Sequence, residues 1–254
     1  MFYSACIPAL FGGKTAREAL AAARDAGLKH YEFWGWNEEQ IAAFAQAQEE
    51  FGMTPVAMCT TFHELTDPNG RDAYVEGIKK TIPVCKSLSC KNIISQVGPE
   101  RTDLSRQAQH ESIVAGLKAA APYVEEAGLT LVFEPLNTRV DHVGYYLWSE
   151  EEAFQIQEEV GSPNVKILLD LYHQAVMDDL DIDRIVANLD KIGHFHMAGH
   201  PGRHEPLINC QVDYATILAA IRKAGYTEAV GLEYMPIYPA AEGLKTLYAQ
   251  LLTF

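Results

Sequence analysis

The chain has 254 residues, 48% of them hydrophobic, which suffices for one large core and fits either a single α/β barrel of about 250 residues or two smaller domains. A formal charge of −14 disfavours nucleic-acid and anionic-membrane partners, which need a basic footprint. It leaves an anionic small molecule admissible where a local positive group outweighs a repulsion screened over roughly 8–10 Å.

The start, MFYSACIPALFGG, has no basic leader-like segment, and no window reaches the roughly 18 continuous apolar residues of a membrane span. Five scattered cysteines (Cys6, Cys59, Cys85, Cys90 and Cys210) argue against a disulfide framework and fit a reducing compartment. A soluble cytoplasmic protein is expected. Strand-like runs rich in branched and aromatic residues then alternate with helix-period segments. FYSACIPAL precedes the helix TAREALAAARDAG, which stops at Gly27; KHYEFWGW precedes NEEQIAAFAQAQEEFG, capped by Asn37 and stopped at Gly52. TPVAMCTT leads into DAYVEGIKKTIPVCKSL, CKNIISQVG into ESIVAGLKAAAPYVEEAG, and LTLVFEPLN into SEEEAFQIQEEVG. VKILLDLYH precedes DIDRIVANLDKIG, IGHFHMAG precedes YATILAAIRKAG, and AVGLEYMP precedes AEGLKTLYAQLLTF. Cys85 and Cys90 are read as packing residues, since free cysteine behaves as a small hydrophobe.

Strands this apolar cannot be half-solvated, so the alternation predicts a parallel sheet covered by helices. Closure as a (β/α)8 TIM barrel in a single domain, residues 1–254, is the economical solution. A doubly wound open sheet is the competitor, but no strand is followed by G-x-G-x-x-G. No Pro/Gly/Ser-rich linker divides the chain.

Four polar residues sit near the ends of the last four strands: Glu134, Asp170, His196 and Glu233. Any one alone could cap a helix or pair with a lysine. Together they would aim at one point on the barrel face where active sites are built. Three carboxylates that close would raise one another's pKa and mostly protonate unless a divalent cation were present. Oxygen donors suit Mg2+ or Mn2+, and one imidazole shifts the preference toward Mn2+ or Co2+.

The stretches FEPLNTRVDHVGYYL, LLDLYH, IGHFHMAGHPGRHEP and GLEYMP resemble the hydroxypyruvate isomerase family, within the xylose isomerase-like superfamily of metal-dependent TIM barrels. YEFWGW and LSCKNIISQVG are similar to that family's second and fourth strands. The resemblance implies that Glu134, Asp170, His196 and Glu233 bind one divalent metal ion, with Glu134 and Glu233 doubling as the acid/base pair. It implies a small hydroxy-oxo acid or sugar as substrate, an enediolate intermediate, no organic cofactor and a homo-oligomer, with hydroxypyruvate to tartronate semialdehyde as the reference reaction.

His196 stands where hydroxypyruvate isomerases carry glutamine and ketose 3-epimerases carry histidine. That makes a ketose 3-epimerase the nearest rival, with His173 of DLYH as its matching substrate contact. Against a full hexulose epimerase, the glutamate those enzymes place six positions after the first metal glutamate is Val140 here. A metal-dependent phosphodiesterase on the same barrel is a more distant rival, disfavoured by the charge.

Further substrate-binding candidates are Arg203, Glu32, Trp34, Trp36, His63 and His200. Arg203 in HPGRHEP is either a bidentate clamp for a carboxylate or the partner of Glu205. Strand alternation puts Glu32, Trp34 and Trp36 on one side of the second strand, facing the pocket; core packing or a subunit contact is the competing reading for the tryptophans. His194 shares the phase of His196 and is expected to be packed and hydrogen-bonded below the metal layer. Asn137 and Asp141 follow Glu134 in the fifth loop.

Overall fold

In the computed structural model, residues 1–207 and 209–253 are described. The first quarter of the chain lays down β1 (Phe2–Cys6), α1 (Ile7–Phe11), α2 (Ala16–Asp25), β2 (His30–Phe33), α3 (Glu38–Phe51) and β3 (Thr54–Cys59). There follow α4 (Arg71–Leu88), β4 (Asn92–Ser95), α5 (Arg106–Ala127), β5 (Thr130–Phe133), α6 (Glu150–Val160) and β6 (Val165–Asp170). The last third supplies α7 (Leu171–Met177), α8 (Ile182–Ala187), β7 (Ile192–Met197), α9 (Tyr214–Lys223), β8 (Ala229–Leu232) and α10 (Ala240–Leu251). The eight strands pair in sequence order, all parallel, and β8 closes on β1. The expected (β/α)8 barrel is therefore the fold.

Helix boundaries follow local chemistry. Thr15 and Glu18 form a reciprocal capping box at the start of α2, and Asn37 accepts from Gln40 N at 2.9 Å at the start of α3, each cap stabilising its helix by about 1 kcal/mol. Gly52 ends α3 at φ 63°, the left-handed position that glycine adopts without a Cβ clash.

Three elements depart from the sequence reading. FYSACIPAL is not one strand: Pro8, tolerated in a first helical turn, lets α1 begin directly after Cys6. VKILLDLYH likewise ends at Asp170 and turns into α7. DIDRIVANLDKIG divides at Asn188 into α8 and a short 3-10 turn, Leu189–Lys191. Phe254, the last residue of the predicted closing helix, lies outside the described residues.

Strand alternation separates two apolar regions. Tyr31 and Phe33 of β2 point outward and stack on Phe44 of α3, at centroid distances of 5.4 and 4.5 Å; burying each such ring contributes roughly 1.5–3 kcal/mol. Inside the barrel, Val56, Ala57, Ile94, Val132, Leu168 and Ala229 form a smaller plug, with Phe2 against it. Above that plug the interior becomes polar. Register irregularities in β2–β3 at Tyr31/Glu32 and in β6–β7 at Ile167/Leu168 fall beside this polar layer, a common place for bulges that re-aim side chains. Cys85 and Cys90 are buried and unbridged. Among the described residues, no helix is long and apolar enough to cross a membrane.

Candidate active site

The four strand-end residues of the second half of the barrel converge. Register places Asp170 beside His196, and His196 beside Gly231. Glu134 N and Glu233 N extend the ladders by one bond, to Ser95 O and Met197 O, both at 3.2 Å. The backbones under all four side chains are thus fixed by the sheet. Each residue offers a donor atom within 4.8 Å of the other three, and all four are buried.

Three of these atoms, Glu134 Oε1, Asp170 Oδ2 and His196 Nδ1, have no hydrogen-bond partner. Buried polar atoms are ordinarily satisfied, because leaving one unmade costs about 1–3 kcal/mol. Convergent orphan oxygens and an imidazole nitrogen fit a hard or borderline divalent cation, so the donor set suits the metal that the residue types suggest.

The carboxylates differ in their surroundings. Burial, reinforced by the charge of Glu233, holds Glu134 well above the usual carboxylate range. Asp170 is pushed up to about 6 by burial, which Arg203 and His196 only partly offset. At Glu233 burial acts upward, but His196 and Arg203 outweigh it and keep the group ionised. Arg203 Nη2 donates to Glu233 Oε2 at 2.5 Å; Trp34 Nε1 donates to Glu233 Oε1 at 2.8 Å, and the Cys6 thiol reaches the same oxygen at 3.7 Å.

Asp170 serves two elements. Its Oδ1 accepts from Tyr172 N at 2.8 Å and caps α7, leaving Oδ2 to the site. One turn later on α7, His173 is fully buried with Nε2 3.6 Å from Asp170 Oδ2. Asn137 Nδ2 donates to His173 Nδ1 at 2.6 Å, so the proton of the neutral ring sits on Nε2 and faces the site. Burial, with help from Arg203, keeps that imidazole neutral. The same amide nitrogen lies 2.6 Å from Asp141 Oδ2.

The structure gathers most of the other candidates. A cavity of about 680 Å3 is lined by Trp34 and Trp36 together with Glu134, His173, Arg203 and Glu233. Arg203 does not pair with Glu205. Glu205 is turned away and accepts the backbone N–H groups of Ile237 and Tyr238, both at 3.2 Å, while Arg203 also lies 3.8 Å from Asp141 Oδ1 and 4.0 Å from Asp170 Oδ2.

Three candidates are placed elsewhere. Glu32 is buried beneath the quartet, bonded to Ser4, His194 and His196, so its carboxylate does not reach the cavity. The two imidazoles, acting against burial, hold that carboxylate down at about 2. His63 lies over Gly77 of α4 and does not line the cavity. His200 lines a separate depression with Gln211 and Thr216. His194 is packed below the quartet and bonded to Glu32 at 2.9 Å, as its phase suggested.

Sequence reasoning missed the wall opposite the quartet, formed by Phe62, Gln96, Leu136, His142, Val143 and Tyr145 among others. These residues follow the ends of β3, β4 and β5, so barrel topology alone pointed there. Most of them are residue types that carry no chemical flag in an unaligned sequence.

The chain is similar to known proteins along most of its length. The family model described as Xylose isomerase-like TIM barrel matches residues 20–250. A protein of Mus musculus named putative hydroxypyruvate isomerase is 30% identical over 243 residues, covering 91% of this chain and 87% of its own. A 2-oxo-tetronate isomerase from Cupriavidus necator is 29% identical over 179 residues, covering 70% of this chain and 68% of its own. Among solved structures, an AP endonuclease, family 2, from Brucella melitensis superposes with a TM-score of 0.89 at 24% identity over 96% of both chains, a likeness of fold. With relatives of this kind along most of its length, the chain is an enzyme of the isomerase class. It belongs to the xylose isomerase-like TIM barrel family, among the members that resemble hydroxypyruvate isomerases.

Proposed function

We propose that the chain is a divalent-metal-dependent isomerase of a hydroxy-oxo acid, with hydroxypyruvate to tartronate semialdehyde as the reference reaction. The observation that carries this reading is the convergence of the unpartnered Glu134 Oε1, Asp170 Oδ2 and His196 Nδ1 with Glu233 at one buried point. Relatives named as hydroxypyruvate and 2-oxo-tetronate isomerases support it.

When held by Glu134, Asp170, His196 and Glu233, a Mg2+, Mn2+ or Co2+ ion supplies Lewis-acid stabilisation of negative charge on substrate oxygens. The protein's own groups do the rest. Moving a carbonyl along a hydroxy-ketone requires a proton to leave the carbon beside it, giving an enediolate, and to return on the neighbouring carbon. Glu134 and Glu233 are the two carboxylates suited to move that proton, Glu233 being anchored by Arg203 and Trp34. His173 Nε2–H is placed to hydrogen-bond a substrate oxygen. Arg203 is the cationic group lining the cavity that can meet a carboxylate. Trp34 fixes the Glu233 carboxylate from the opposite side.

His196 favours a second reading, a ketose 3-epimerase, which uses the same proton removal but returns the proton to the opposite face of the same carbon. The test is NMR in D2O on metal-loaded protein with hydroxypyruvate, four-carbon oxo-acids and neutral ketoses. Metal-dependent deuterium incorporation with carbonyl migration in an acid is the expected result. Exchange with inversion in a neutral ketose would replace the first reading with the second, and no exchange with metal bound would remove both.

A further inference from the structure

The cavity over the quartet has two chemically different halves. One presents Glu134, His173, Arg203 and Glu233; the other is walled by Trp34, Trp36, Phe62, Leu136 and Val143, on the loops after β2, β3 and β5. At about 680 Å3 it has the size of sites that enclose drug-sized ligands, ~300–1,000 Å3. A three- or four-carbon acid fills only the polar half.

Three polar side chains of the apolar half, Trp36, Thr60 and Tyr145, are already committed inside the protein. Trp36 Nε1 donates to Cys59 O at 3.2 Å, and Thr60 shares a hydrogen bond with Thr81 at 2.9 Å. Tyr145 Oη accepts from Val97 N at 2.7 Å and donates to Glu134 O at 3.2 Å. That leaves Thr61, Gln96 and His142 as the side chains there able to meet a hydroxyl. A polyol tail would lose more hydrogen bonds to water than it regained. Meanwhile Trp34, Phe62 and Val143 remain 36%, 55% and 79% exposed, apolar surface whose covering is favourable.

We propose that the substrate is a 3-hydroxy-2-oxo acid whose third carbon carries an apolar, ring-sized group, with the oxo-acid end over the quartet and the ring against Trp34, Trp36, Phe62 and Val143. The inference rests on the isomerase reading above and names its substrate class. In the reaction the C3–H bond breaks and a C2–H bond forms. The C3 hydroxyl gives up its proton and becomes the carbonyl, and the C2 oxygen gains a proton and becomes the alcohol. C3 is oxidised and C2 reduced by the same pair of electrons, so no external oxidant is required.

Two measurements on the metal-loaded protein test this. In the first, calorimetry compares the unreactive acids 2-hydroxy-3-phenylpropanoate and glycerate; the phenyl acid is expected to bind about 10-fold tighter or more, the value of one well-buried apolar group. Phe62→Ala and Val143→Asp should each cut that preference several-fold. Equal or weaker binding of the phenyl acid, no binding of either, or a loss shared equally by both acids would overturn the proposal. In the second, deuterium exchange compares hydroxypyruvate with 3-hydroxy-2-oxo-3-phenylpropanoate. A higher kcat/KM for the phenyl substrate is expected, and turnover of hydroxypyruvate alone would sink the substrate class while leaving the isomerase reading intact. Tighter phenyl-acid binding without exchange in any oxo-acid would instead sink the isomerase reading.

Discussion

Glu32 Oε2 lies 2.9 Å from His196 Nε2, across the barrel interior and below the cavity. The contact turns Nε2 toward Glu32 and leaves Nδ1 facing Glu134 and Glu233; against burial, Glu32 and Glu233 hold the metal-free imidazole well above its ordinary range, so a bound cation displaces the Nδ1 proton. The same oxygen takes His194 Nε2 at 2.9 Å, and Ser4 Oγ donates to the other at 2.9 Å. A carboxylate behind a metal-binding histidine fixes its tautomer, and its loss typically weakens metal binding ~10–100-fold. Glu32→Gln should therefore lower divalent-metal affinity by about that factor, because an amide presents one acceptor and one donor to two imidazoles. Nitrogen-15 NMR of the imidazoles in the metal-loaded protein should show His196 losing its single tautomer. Unchanged affinity and an unchanged tautomer would remove Glu32 from this role.

Glu134→Gln and Glu233→Gln should each lower kcat at saturating metal by about 100-fold or more, the scale of a lost general acid or base, with the circular-dichroism spectrum unchanged. Near-normal turnover in either variant would exclude that residue from proton transfer.

For Arg203, whose guanidinium lines the cavity beside Glu233, the discriminating quantity is the KM for an acid against that for a neutral sugar. Arg203→Ala should raise the former about 10-fold more than the latter, in keeping with a lost charge-assisted bidentate contact. Equal effects would show that Arg203 serves only to order the carboxylates.

Far from the site, Glu150 is buried at the start of α6 and paired with Arg184. Burial, aided by Asp179 and Asp181, outweighs that pair and lifts the carboxyl from 4.5 to about 7. A raised folded-state pKa means that the folded protein takes up a proton between those values. The contribution is fully present below pH 4.5 and is lost as pH rises through 7. Urea midpoints measured from pH 5 to 8 should thus show Glu150→Gln gaining on the parent protein as pH rises; a pH-independent difference would contradict the shift.

Gly231 of β8 faces the same polar layer, and a Cβ there would lie 2.1 Å from Glu32 Oε1 and 2.5 Å from His196 Cδ2. Gly231→Ala should displace one of those side chains and lower thermal stability and metal affinity together. Loss of neither would mean that the layer is more yielding than its packing implies.

The barrel was legible because its strands, each buried on both faces, are written as apolar runs, and its helices end at glycines such as Gly52. The quartet was legible because acids and a histidine interrupt those runs at the same end. The positions of α1 and α7 were not, because their first residues continue the hydrophobic character of the strands before them. Nor were partners across the barrel: Glu32 meets residues 162 and 164 positions away, and strand phase says which way a side chain points but not what it meets. Arg203 stood open between a carboxylate clamp and a pair with Glu205, its neighbour in sequence; the loop after β7 turns the guanidinium toward Glu233 instead.

The divided carboxylate of Asp170 binds chemistry to architecture. One oxygen starts α7 and the other faces the site, and α7 in turn carries His173, so the sixth loop ties a helix start to two side chains of the site. Grafting a different loop there to change specificity would uncap a helix and dismantle the candidate site in the same step. Among the described residues, the loops after β3 and β4 carry none of the four strand-end residues and none of the side chains bonded to them, so the cavity wall can be retuned from that side with the quartet left standing.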